Sequence, residues 1–232
     1  MRDERVMDAE LNLDVTAQIE PNIDLEDIEN DHMYLMGIVQ DCSGSMNVFS
    51  SEMKQAMNNF VKSVKDSKQD DEMLVSITNF SDNVVSSGFQ NVSNISTDFN
   101  AYGCTALYDA IFVAAKQVTD YMDQLNESGV RTRAGLVIFS DGYDNVSAKG
   151  ISDAARVISE LVSKEIVVAF VSFGNDADGI AESLGVSKGN ILKTNATASD
   201  LRKVWGIISK SAISSSKNAA LGNSSNSGFF DV

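Results

Sequence analysis

Apolar and polar positions along the chain change period in a regular way. Near-continuous apolar runs occur at Tyr34 to Gln40, Met73 to Phe80, Leu136 to Ser140 and Ile166 to Ser172. Runs of this length without alternation predict strands buried on both faces. A shorter run, Asn83 to Phe89, follows the second after only "SD". That gap is too short for a helical crossover, so an antiparallel edge hairpin is expected there. "NILK", 190 to 193, reads as a last edge strand.

Between the runs the period becomes helical. Apolar residues recur at Met53, Met57, Phe60, Val61 and Val64, and again at Leu107, Ile111, Ala114, Val118, Met122 and Leu125. A third stripe is Ile151, Ala154, Ile158, Leu161 and Val162, and a fourth is Leu201, Val204, Trp205 and Ile208. Each spacing places one apolar face toward a core. Thr197 or Ser199 is positioned to cap the last helix. Strands alternating with helices predict an α/β fold. The expected sheet is doubly wound and mostly parallel, with one antiparallel edge strand and helices on both faces.

Composition sets the limits of this core. The patterned region spans 32–213, a length suited to one domain. Residues 1–31 form an acidic arm of weak periodicity, expected to pack loosely. Its acids run from Asp3 to Asp31 and are opposed only by Arg2 and Arg5. Residues 214–232 read as a flexible tail rich in Ser, Asn and Gly, ending in "GFFDV". Phe229 and Phe230 are costly to leave exposed on such a tail, so docking on a partner or on the domain competes with a free end.

A net charge of -15 argues against nucleic acid or an anionic membrane as the main partner, because both would be repelled. No apolar stretch reaches the length of about 18 residues needed to span a bilayer. The acidic N-terminus has no apolar run after its charges, as a secretory leader would. A cytoplasmic location is therefore expected. Two cysteines, Cys42 and Cys104, are too few for a disulfide framework and read as small reduced thiols.

Candidate chemistry lies at the strand ends. In open parallel sheets, ligands bind beyond the carboxyl ends of the strands, where strand order reverses. "DCSGS" ends the first apolar run with Asp41, Ser43 and Ser45, and "FSDG" ends the third with Asp141. "GCTALYDA" brings Thr105 to the start of a helix. Gly44, Gly103 and Gly142 permit tight loop bends. Two carboxylates with three hydroxyls make a hard oxygen set. It suits Mg²⁺ or Mn²⁺, with Ca²⁺ as another oxygen-seeking ion, rather than zinc or copper. An ion so held keeps positions for water or an outside carboxylate. Capping and turn formation are the structural alternative for these five residues.

With those residues in that order, the chain resembles the von Willebrand factor type A domain. That family's metal-ion-dependent adhesion site is written DxSxS…T…D, matched here by Asp41, Ser43, Ser45, Thr105 and Asp141. The resemblance spans about residues 32–213. It implies that Ser43, Ser45 and often Thr105 bind the ion directly, with Asp41 and Asp141 acting directly or through water. It also implies a protein partner whose Asp or Glu completes the coordination sphere. The Thr loop looks most like intracellular bacterial or phage members, including those beside tellurite-resistance and stress genes. Cys104 departs from the pattern, where relatives carry glycine or another small residue.

Neighbouring polar residues have simpler expected roles. Asp109 suits the helix dipole, with bonds to loop residues as the alternative. Asp144 and Asn145 read as loop polars. His32 is the only histidine, which leaves Ser-His-Asp and zinc-hydrolase chemistry without a base. An aspartate-based phosphotransferase would need a second acid where Ser43 stands. "SEMK", "SDN" and "KTN" mimic the motif order of penicillin-recognising enzymes, but "KTN" lacks the glycine. A structural module with a stabilising ion is the remaining alternative. No enzymatic activity is expected.

Overall fold

The computed structural model describes residues 15, 17–69, 72–173, 177–194, 197–220 and 229–230. The acidic arm expected at 1–31 lies outside them at 1–14 and 16, and the expected tail at 221–228 and 231–232.

The longest apolar run forms the central strand β2 (His32–Asp41), parallel to β3 (Met73–Phe80) on one side and to β6 (Arg131–Ser140) on the other. Beyond β6 lie β7 (Val167–Phe173) and β8 (Ile191–Thr194), both parallel. Beyond β3 lies β4 (Val84–Ser86), antiparallel to it as the short "SD" gap predicts. β5 (Gln90–Asn91) pairs antiparallel with the opposite end of β3. A strand the sequence reading did not anticipate, β1 (Ala17–Ile19), pairs parallel with β4. The path β1-β4-β3-β2-β6-β7-β8 therefore places the antiparallel β4 one strand in from the edge.

The two faces carry separate cores because side chains alternate along each strand. α1 (Ser50–Ser67) and α5 (Ala198–Ala220) cover Tyr34, Met36, Ile38, Val137 and Phe139. α2 (Leu107–Glu127), α3 (Ile151–Ser163) and α4 (Ala177–Ser183) cover Leu35, Val39, Leu136, Ile138 and Phe170. The α1 stripe is buried at Met53, Met57, Phe60 and Val64, each contributing about 1.5–3 kcal/mol. Phe60 and Phe139 both pack against Trp205 of α5, at ring separations of 5.9 and 4.7 Å. Thr197 is the α5 cap, its Oγ1 accepting the Asp200 N–H at 3.2 Å. No helix among the described residues is long and apolar enough to cross a membrane.

Two expected boundaries shift. Residues 15 and 17–31 are built into the domain instead of hanging loosely, because all their apolar residues but the exposed Leu25 reach the core. Val15 is buried, and Ile19, Ile23 and Ile28 pack against the α2 side. Ile23 N–H bonds the Phe89 carbonyl at 2.8 Å, and Tyr121 Oη donates to the Ile23 carbonyl at 2.9 Å. At the other end α5 continues to Ala220, past the expected limit at 213. Its serines made 214–220 look like tail, yet Ser216 is buried and Ser214 and Ser215 are half-buried. Small side chains there let the helix pack closely. Phe229 is buried in the same core, its N–H bonding Asn190 Oδ1 at 2.8 Å, and Phe230 packs beside it.

Successive connections wind β3 to one side of β2 and β6 to the other. The switch point therefore lies between the carboxyl ends of β2 and β6, where Asp41 and Asp141 emerge.

Candidate metal centre

Asp41, the last residue of β2, is fully buried. Its Oδ1 accepts the Ser43 N–H at 2.9 Å, a local turn that swings the chain off the sheet. Its Oδ2 accepts Ser140 Oγ at 2.9 Å from the end of β6. Ser43 Oγ then lies 3.0 Å from Ser45 Oγ, and Ser45 donates to Asp141 Oδ2 at 2.6 Å. Asp41, Ser43, Ser45 and Asp141 are thus linked in one run of short contacts that crosses from β2 to the loop after β6.

Thr105 joins through its backbone. Its N–H donates to Asn145 Oδ1 at 2.9 Å, and its carbonyl accepts the Asn145 N–H at 3.0 Å. This reciprocal pair clamps the Thr105 loop to the Asp141 loop. A second clamp runs to the first loop. Gly44 N–H bonds the Gly103 carbonyl at 3.1 Å, and Tyr102 N–H bonds the Cys42 carbonyl at 2.8 Å.

Asp82, which the sequence pattern did not single out, holds this loop from below. Its Oδ1 accepts the Cys104 N–H at 3.0 Å. Gly103 has φ of 74°, and a Cβ there would lie 2.0 Å from Asp82 Oδ2, so only glycine fits. The contact joins residues far apart in sequence, and nothing local in "FSDN" announces it.

The polar residues after Asp141 brace α2. Asp109 accepts the Ala148 and Lys149 N–H groups at 2.9 and 2.8 Å, and its own N–H donates to Ser147 Oγ at 3.1 Å. Asp144 Oδ2 accepts the Tyr108 N–H at 3.2 Å and also bonds Ser147 Oγ. Asp109 therefore bonds the loop as well as sitting at the helix start.

Burial pushes the Asp41 carboxyl above the ordinary carboxylate range. Hydrogen bonds from Ser43 and Ser140 oppose this, while the like charge of Asp141 adds to it. Asp141 Oδ1 is buried with no hydrogen-bond partner. An orphaned charged acceptor costs more than the 1–3 kcal/mol or so of a neutral one, so the atom calls for a cation or donor. Among the described residues no group of three or more His, Cys, Asp or Glu is placed to hold a metal ion by itself. Ser43, through its N–H and hydroxyl, and Ser45, through its hydroxyl, bridge the two carboxylates, and that oxygen chemistry fits a hard divalent ion.

Other candidates disperse. His32 lies at the opposite end of β2, bonded to Asp31 at 2.9 Å. Lys54 of "SEMK" bonds Asp98 at 2.5 Å. Burial first, then the Asp41 charge, push the Cys42 thiol up to about 12, which leaves it inert.

No family model matches the sequence, and no curated protein is significantly similar to it. Solved structures share its fold. The pilus adhesin SpaC of Lactobacillus rhamnosus GG superposes with a TM-score of 0.62 at 12% identity, over 79% of this chain and 30% of that one. Manganese-loaded TRAP protein of Plasmodium vivax gives 0.51 at 14% identity, over 77% and 73%. The vWF domain of the type V pili tip protein Mfa5 of Porphyromonas gingivalis gives 0.53 at 9% identity, over 77% and 94%. The chain thus spans under a third of the SpaC chain. These likenesses, with the observed strand order, define a fold like that of the von Willebrand factor type A domain.

Proposed function

We propose that the protein is a metal-dependent protein-interaction module. Asp41, Ser43, Ser45, Thr105 and Asp141 hold Mg²⁺, or Mn²⁺ or Ca²⁺ in its place, and an Asp or Glu of a protein partner completes the coordination. The buried, unpartnered Asp141 Oδ1 carries this reading most directly. The manganese in one fold neighbour and the pilus adhesin among the others support it. When bound, the ion supplies an electrophilic centre for an outside carboxylate.

The chain's own part is to hold the oxygens in place without chemistry. Ser43 and Ser140 donate to Asp41 and keep both of its oxygens directed. The exposed Ser45 opens the set to solvent on the loop side. We propose no catalytic role. The one histidine stands at the far end of the sheet, and the carboxylate bonded to Ser45, Asp141, is assigned here to the ion.

The test is binding of peptides carrying a single Glu against matched Gln peptides, in Mg²⁺ and in EDTA. The reading expects a Glu preference that appears only with Mg²⁺ and is lost in Asp41→Ala. Equal binding of Glu and Gln peptides under both conditions would reject it.

A further inference from the structure

Exposed apolar side chains are unevenly spread over this fold. Among the described residues seven large ones are exposed, and four of them, Val48, Tyr102, Tyr143 and Val146, lie in the three loops that carry the candidate centre. The other three, Leu25, Val85 and Val162, stand on separate elements, as scattered surface residues do.

The four are placed beside the candidate oxygens by contacts already in the fold. Val48 and Ser45 both belong to the short 3₁₀ helix Gly44–Phe49. Side chains three apart eclipse in such a helix, so Val48 stands on the face from which Ser45 reaches Asp141. Val48 is also the most exposed of the four, at 75%. Tyr102 N–H bonds the carbonyl of Cys42, the residue before Ser43, at 2.8 Å. Tyr143 follows Asp141 after Gly142 alone. Val146 comes directly after Asn145, whose N–H and side chain hold the Thr105 backbone.

Charge is sparse on the same rim. Residues 42–49 and 99–105 hold no charged side chain. Asp82 accepts the Cys104 N–H. In the loop after Asp141, Asp144 accepts the Tyr108 N–H, and Lys149 sits over the Phe112 ring, 4.9 Å from its centre. A partner therefore finds few ion pairs to make around the centre, and the net charge of -15 repels one rich in acids. What the rim offers is apolar contact.

We propose that the centre and this rim form one docking surface for a protein segment in which a single Glu or Asp stands between apolar side chains. The carboxylate completes the ion, and its apolar neighbours cover Val48, Tyr102, Tyr143 and Val146. This rests on the ion-binding reading above and adds the chemistry of the partner's flanking residues. The ion selects the acid, and the rim selects what stands beside it. Covering the rim also shuts water out around the carboxylate, which strengthens its hold on the ion.

Two peptides with capped ends test this, one with Glu between Leu residues and one with Glu between Ser residues. Each is titrated, in Mg²⁺ and in EDTA, against the native chain, Val48→Ser/Val146→Ser, and Val162→Ser as a control on α3. In Mg²⁺ the native chain and Val162→Ser should bind the Leu-flanked peptide about tenfold more tightly, the worth of burying one valine. Val48→Ser/Val146→Ser should lose that preference, with its affinities for Mg²⁺ and for the Ser-flanked peptide unchanged. Equal native affinity for the two peptides, with Glu still preferred to Gln, would overturn the rim and leave the ion reading standing. A preference that survives Val48→Ser/Val146→Ser, or Leu-flanked binding that persists in EDTA, would overturn it as well. A native chain that binds no Mg²⁺ would remove the ion reading itself, and this proposal with it.

Discussion

Ser140 Oγ donates a 2.9 Å hydrogen bond to Asp41 Oδ2 across the adjoining ends of β6 and β2. The residue before one candidate acid thus orients the other. Ser140 Oγ also accepts the Gly142 N–H at 3.0 Å, so one hydroxyl fixes Asp41 and the turn that carries Asp141.

Ser140→Ala should consequently cost more than a neutral hydrogen bond. It removes a donor from a buried carboxylate, an effect of about 1.5–3 kcal/mol. Urea melts in EDTA should show that loss, and Mg²⁺ affinity should fall with it. Unchanged stability and affinity would mean that Asp41 is held by Ser43 alone.

Gly103 and Asp82 should behave as a coupled pair. Gly103→Ala meets both a positive φ and Asp82 Oδ2, and is expected to destabilise by at least 1 kcal/mol or so. In an Asp82→Ala background the collision is gone and only the backbone strain remains. The double mutant should then be more stable than the sum of the single losses implies. Strict additivity would show that the Thr105 loop does not rest on Asp82.

The pH dependence follows from Asp41. Burial, with the Asp141 charge adding to it, raises its pKa in the ion-free fold. Between the ordinary carboxylate value near 3.9 and the raised one, the folded state holds more protons than the unfolded state. Ion-free stability should therefore be full below this window and fall as pH rises through it. Ion binding requires the carboxylate, so Mg²⁺ affinity should rise over the same window. Melts in EDTA from about pH 4 to about pH 7 check the first part. The slope should flatten in Asp41→Asn. An identical slope in that variant would assign the titration to other groups.

Phe229 offers a test away from the centre. It is buried against the α1/α5 core and tied to Asn190. Phe229→Ala should lower stability by about 1.5–3 kcal/mol, the contribution of a buried aromatic side chain. Phe230→Ala should cost less, since its ring is only partly buried. No loss in either variant would mean the segment is not docked in solution.

Much of this architecture was legible because burial on both faces writes long apolar runs. β2, β3, β6 and β7 all fall on such runs, and the stripes of α1, α2, α3 and α5 fall on helical spacing. The motif residues were also legible, since strand ends and glycines mark where loops begin. What escaped was structure made by few residues or by distant ones. β1 has only three residues, among acids that suggested solvent. α4 has only seven, too few for a period to show. The end of α5 packs through serines, whose polarity hid their burial. Asp82 reaches Cys104 across the fold, a contact no local pattern encodes.

The central claim is that Asp41, Ser43, Ser45, Thr105 and Asp141 bind one divalent ion, and calorimetric titration of Mg²⁺ into the metal-stripped protein tests it most directly. One site should titrate in the native chain and vanish in Asp141→Ala. Saturation at about 100 times the dissociation constant should add about 2.7 kcal/mol of stability. No binding by the native chain, or binding that survives Asp141→Ala unchanged, would contradict the account.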